Sequence, residues 1–120
     1  MDTLNFSKEI RALSLKMVSK ANASHIGSAL SIADLIAVLY GSEMKFDSSN
    51  PSLESRDRLI LSKGHACTAL YAALGILDFF PIDELETYGA DFSNFMNHVS
   101  HFVPGVEFSM GALGHGMPIG

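Results

Sequence analysis

Basic residues are scarce in this chain. Eight Lys and Arg stand against thirteen Asp and Glu, for a formal net charge of −5. A chain without a basic stripe has little to offer a phosphate backbone, so no nucleic acid partner is expected. Cysteine is scarcer still: Cys67 is the only one. One thiol cannot close an internal disulfide, which fits a reducing compartment, and the expected location is the cytoplasm. The opening MDTLNFSKEI lacks the apolar core of a signal peptide. No run reads as approaching membrane-spanning length, so no membrane partner is expected. Internal repeats and low-complexity tracts are missing as well. So are the P-loop, the G-x-G-x-x-G fingerprint and HExxH, which removes the simplest readings as a nucleotide, dinucleotide or metalloprotease site.

What is present describes a soluble globular protein, 48% hydrophobic and 18% charged. Its 120 residues suffice for one small domain with a hydrophobic core. Residues 7–20 read as an amphipathic helix, with Ile10, Leu13 and Met17 on one stripe and Lys8, Arg11 and Lys20 off it. Small polar residues around His25 and Gly27 then break the period. A second helix is expected from Ser31, with Ser31 as N-cap and Asp34 three residues on in a capping box. FDSSNPSLESRD reads as a polar loop, in which Pro51 keeps Asn50 out of helix. RLIL opens a short strand at 58–62, and a helix over 65–77 follows, apolar at Ala66, Ala69, Leu70, Ala73, Leu74 and Leu77. Pro81 opens a short helix at 82–88. This alternation predicts an α/β layer fold.

From Gly89 the pattern loosens, yet this stretch holds six of the ten glycines and three of the five histidines. A long loop in a compact domain usually serves a site. The chain ends in GALGHGMPIG, which reads as a helix-opening loop, so the expectation is a portion of a larger enzyme rather than a complete short domain. Gly or Asn lies beside or near His25, His65, His98 and His115, while His101 sits between Ser100 and Phe102. Imidazole donates and accepts protons near neutrality, which suits proton transfer and contacts to sugar hydroxyls. Each histidine taken singly is equally a structural side chain. His98 and His101 form H-x-x-H, an incomplete zinc set. Cys67 follows His65 near a helix start that would favour thiolate, or it is buried packing.

Together these motifs resemble the N-terminal part of transketolase, the thiamine-diphosphate-dependent enzyme family of sugar-phosphate metabolism. SKANASHIGSALSIADLIAVLY, RDRLILSKGHACTALYAAL and PGVEFSMGALGHG are similar to three of the family's segments, in the family's order. The resemblance implies that residues 1–120 are the N-terminal portion of the diphosphate-binding domain, with a parallel sheet flanked by helices. It implies transfer of a two-carbon ketol unit from a ketose phosphate to an aldose phosphate, as in the pentose phosphate pathway. A non-catalytic fragment or binding subunit is one alternative. A related thiamine-diphosphate enzyme of different substrate, such as dihydroxyacetone synthase, is another.

Roles follow from the same resemblance. His25 corresponds to a histidine at the substrate channel, and His65 to one reaching the cofactor's phosphates and the substrate. His98 corresponds to the histidine that bonds the donor sugar near its reacting carbon. The family reads Gly-His-Pro there and this chain reads Asn97-His98-Val99, but the spacing to Pro104 is the family's. Gly111, Ala112 and Leu113 correspond to the loop at the aminopyrimidine ring, and Gly64 to a turn that lets the cofactor approach. The ligands of the divalent metal, Mg2+ or another, are expected outside this chain. The activating glutamate is expected across a dimer interface, from the remainder of the enzyme or from a C-terminal subunit.

Overall fold

Among the residues that the computed structural model describes (1–91, 93–96 and 99–109), three α-helices carry the fold: α1 Thr3–Ala21, α2 Ile26–Val38 and α3 Cys67–Ile76. α1 starts earlier than its apolar stripe suggests because Asp2 caps it. The Asp2 carboxylate accepts the amide protons of Leu4 and Asn5 at 3.1 and 3.2 Å, satisfying two donors that a helix start leaves open. The helix ends where Asn22 turns left-handed (φ 50°) and the Ala23 N–H returns to the Val18 carbonyl at 3.0 Å. Phe6, Ile10, Met17 and Val18 form its buried stripe, with Leu13 at the core's edge.

α2 begins at Ile26, five residues before the expected Ser31 cap. Ser31 lies inside the helix, where its hydroxyl donates to the Ser28 carbonyl at 2.7 Å. Asp34 does not turn back to close a capping box. It is held by α1, where the Arg11 guanidinium grips both its oxygens at 2.8 and 3.0 Å and the Ser7 hydroxyl donates to it. A guanidinium fork offers two charge-assisted bonds where a cap amide offers one, so the interhelical partner wins. These donors hold the Asp34 carboxyl at about 2, below its ordinary value, with the Arg11 hydrogen bond the largest cause.

Leu39–Glu43 prolong α2 as a π-helical turn, closed by the Met44 N–H on the Leu39 carbonyl at 2.7 Å. The continuous helix Ile26–Glu43 then has 18 residues and is, by length and composition, long and apolar enough to cross a membrane. This corrects the expectation that no run reaches such a length. In this fold its Ala29, Ala33, Ile36 and Ala37 are core residues.

The hub is α3. Every residue from Cys67 to Gly75 is buried, as befits a helix that is apolar all round. The helix expected over 65–77 consists of a 3₁₀ turn, Gly64–Ala66, followed by α3, which stops before Asp78 takes a left-handed φ of 66°. The short helix expected at 82–88 is a 3₁₀ turn, Ile82–Thr87, following Pro81. Phe80, Leu85, Tyr88, Phe95, Val99 and Val103 complete the core around α3.

The strand expected at 58–62 is not formed, and no strand occurs among the described residues. Leu59 and Leu61 pack against the core while Ile60 is exposed, the alternation of an extended segment. A strand also needs a ladder, and among the described residues no backbone–backbone hydrogen bond ties 58–62 to another segment. The sheet of the expected α/β fold is therefore not seen in these residues.

Two features pin the segment 99–109 to this helical layer. Arg56 and Glu107 form a bidentate ion pair, Nε–Oε1 3.1 Å and Nη2–Oε2 2.6 Å, with both side chains only 14% exposed. Gly105 holds φ 93° under Phe79 and Leu74, where a Cβ would come within 2.8 and 2.9 Å of side-chain carbons.

Candidate active site

His25 and His65 are forty positions apart in sequence, yet their rings meet, with centroids 4.5 Å apart and planes tilted by 47°. His25 is the residue before α2 and adopts a left-handed backbone (φ 70°, ψ 20°). His65 sits in the 3₁₀ turn that leads into α3. The contact therefore joins two helix beginnings, with His25 exposed and His65 half-buried. At Gly27 an added Cβ would meet nothing within 4 Å, so the surface beside His25 is open.

Lys63 flanks the pair. Its Nζ donates to Ser31 Oγ on α2 at 2.7 Å, and its carbonyl accepts the Ala66 N–H at 2.9 Å. Sequence patterning had no signal for this bond, which crosses between elements. Gly64 is not held at positive φ, unlike Gly89 and Gly105, so its turn needs no glycine-only conformation. It is buried, and its carbonyl accepts the Val99 N–H at 3.1 Å. The next amide, Ser100 N–H, donates to the buried Tyr71 hydroxyl at 3.0 Å. The chain just after His98 is thus anchored on the turn that carries His65. His98 itself, with Gly111, Ala112, Leu113 and His115, lies outside the described residues.

Cys67 is not a thiolate. It is fully buried, its Sγ donates to the Met96 carbonyl at 3.5 Å, and burial pushes the thiol up to about 12. Desolvation outweighs whatever a helix start contributes. Burial likewise raises the hydroxyls of Tyr71 and Tyr88. His101 is exposed. Its Nδ1 shares a hydrogen bond with Ser109 Oγ at 2.6 Å, its backbone N–H donates to the same oxygen at 2.7 Å, and its ring lies 4.3 Å from that of Phe102. These bonds make it a loop clip. No group of three or more His, Cys, Asp or Glu suited to a metal occurs among the described residues. A groove of about 300 Å³ between α1 and the 82–87 turn, lined by Leu13, Met17, Ile82 and Leu85 among others, contains no histidine.

The family model for the thiamine diphosphate binding domain of transketolase matches residues 3–119. The chain belongs to the transketolase family. It is 43% identical over 114 residues to a transketolase family protein of Sinorhizobium fredii, covering 94% of this chain and 41% of that one. It is 38% identical over 117 residues to the 6-deoxy-6-sulfo-D-fructose transketolase subunit of a Clostridium species, covering 97% and 42%. Among solved structures, the transketolase of Leishmania mexicana superposes with a TM-score of 0.85 at 33% identity, covering 97% of this chain and 18% of that one. The chain thus spans about two fifths of the length of these two curated relatives.

Proposed function

We propose that this chain forms part of the thiamine diphosphate site of a transketolase-like enzyme, which moves a two-carbon ketol unit from a ketose phosphate to an aldose phosphate. The observation that carries this reading is the His25–His65 contact, made inside a chain that the family model matches almost end to end. A diphosphate needs hydrogen-bond donors and a surface that side chains do not block. The His65 imidazole is such a donor, and the open space at Gly27, beside His25, leaves room next to the pair. The residues fit the group.

In this reading His65 holds the diphosphate, and Gly111, Ala112 and Leu113 lie along the aminopyrimidine. When bound, thiamine diphosphate supplies a nucleophilic carbon for chemistry at a ketose carbonyl. His25 and His98 orient the sugar's hydroxyls, since an imidazole accepts a proton at one nitrogen and donates at the other. Mg2+ or another divalent ion takes its ligands from outside these residues. The chain covers about two fifths of these relatives, and in this reading further segments or a C-terminal subunit complete the site. The complete enzyme is taken to be a dimer. The relative named for 6-deoxy-6-sulfo-D-fructose makes a sulfonated ketose the second donor to try.

The test uses the assembled enzyme with cofactor, divalent metal and a panel of ketose donors and aldose acceptors. Mass spectrometry should find acceptor products two carbons longer. His98→Ala should lower kcat/KM by about 10²–10⁴-fold, the usual loss for an acid–base or orienting histidine, and His101→Ala by well under tenfold. Equal losses, or the reverse order, would refute the assignment through Asn97-His98-Val99. Cofactor binding without a longer product from any donor would refute ketol transfer.

A further inference from the structure

We propose that Lys63 and Ser31 form a clasp that sets the spacing of the His25–His65 pair, making Lys63 a positioning residue for the site. The proposal rests on the reading above that these histidines face ligand. The observations behind the clasp involve no ligand. Lys63 Nζ donates to Ser31 Oγ at 2.7 Å, and that hydroxyl donates onward to the Ser28 carbonyl at 2.7 Å. The ammonium is therefore anchored on the early turns of α2, the helix that His25 begins. By its main chain, Lys63 also begins the turn that bears His65. Its carbonyl accepts the Ala66 N–H at 2.9 Å, and its φ of −89° and ψ of 68° lie close to an inverse γ-turn.

One residue thus grips His65 through two peptide bonds and α2 through its side chain. Two backbone amides of the described residues also bond at this corner, Val99 N–H to the Gly64 carbonyl and Ser100 N–H to Tyr71, and they tie the 99–109 segment to the turn and to α3. They do not involve α2. Sliding α2 against the turn would leave both intact while separating the imidazoles, and the clasp opposes that motion. Lys63 and Ser31 are both exposed, so the bond competes with water and its worth is modest.

The experiment uses the assembled enzyme carrying Ser31→Ala, Lys63→Met, the two together, and Ser31→Thr. Each single removal should weaken thiamine diphosphate binding, measured by calorimetry, by about three- to tenfold, the range of a typical net hydrogen bond. The double variant should bind no worse than the weaker single, because both changes cut one bond. Ser31→Thr keeps the hydroxyl and should bind like the parent, and kcat at saturating cofactor should change little throughout. In the cofactor-free enzyme, the ring carbon–proton NMR signals of His25 and His65 should shift together in both singles. Unmoved ring signals would overturn the clasp. A loss with Lys63→Met that Ser31→Ala does not share would show the ammonium acting on the ligand itself and would overturn it equally. The ligand-facing reading fails separately: His65→Ala would then bind cofactor as tightly as the parent, while the clasp variants still move the ring signals.

Discussion

Replacing Glu107 with Leu should loosen the 99–109 segment without unfolding the helical layer. The change leaves the Arg56 guanidinium largely buried and stripped of two charge-assisted bonds, at 3.1 and 2.6 Å. Breaking a fully buried ion pair by deleting one partner costs about 3–5 kcal/mol. Each side chain here keeps 14% exposure, and Arg56 Nη1 still donates to the Leu53 carbonyl at 2.7 Å. Water and that carbonyl soften the loss to about 2–4 kcal/mol. Amide hydrogen exchange reads such a change locally, at Val99, Val103 and Val106, whose N–H groups are all bonded within or beneath this segment. At about 1.4 kcal/mol per tenfold, their exchange should quicken by roughly thirty- to several-hundredfold. Amides in the middle of α3 should change far less. The decisive control is Arg56→Met with Glu107→Leu. Removing both charges removes the stranded one, so the double variant should recover most of the protection. If the double loses as much as the two singles added, the cost lies in packing rather than in an orphaned charge, and the reasoning fails.

At Gly105 the demand is for glycine itself. Gly105→Ala combines a φ of 93° with contacts at 2.8 and 2.9 Å, and should lower stability by about 2 kcal/mol or more, seen as a lower Tm. An unchanged Tm would mean that the backbone relaxes freely there. Asp34 predicts an acid-sensitive link between α1 and α2. Its folded pKa is depressed to about 2 from 3.8, so its contribution is complete above about pH 4 and fades as the pH falls through 2. The Tm advantage of the parent over Asp34→Asn should be present at pH 5–7 and vanish near pH 2; an advantage that persists there would refute the pairing. Cys67, buried with its thiol raised to about 12, should resist alkylation by iodoacetamide at pH 8 until the protein is denatured. Rapid labelling of the native protein would contradict its burial.

Periodicity and local chemistry determined the helices on their own. The 3.6-residue stripe of Ile10 and Met17, the unbroken apolar run that became α3 and the punctuation by Pro81 act over a few residues, so a sequence displays them directly. The family's motifs were equally legible, and on them rests the proposal of Gly111, Ala112, Leu113 and His98 as site residues. Tertiary structure decided what two distant segments do to each other. Asp34 looks like a helix-capping acid, but Arg11 on another helix takes it, and α2 starts earlier, at Ile26. Cys67 looks activated at a helix start, but eight consecutive buried residues after it show how deeply α3 is enclosed, and desolvation rules its thiol. The segment 58–62 has the alternation of a strand, but a strand needs a partner and the described residues supply none. His25 and His65 are only two loop histidines on paper. Packing of α2 against α3 brings their rings to 4.5 Å, because a contact across forty positions depends on the whole core and not on any neighbour in the chain.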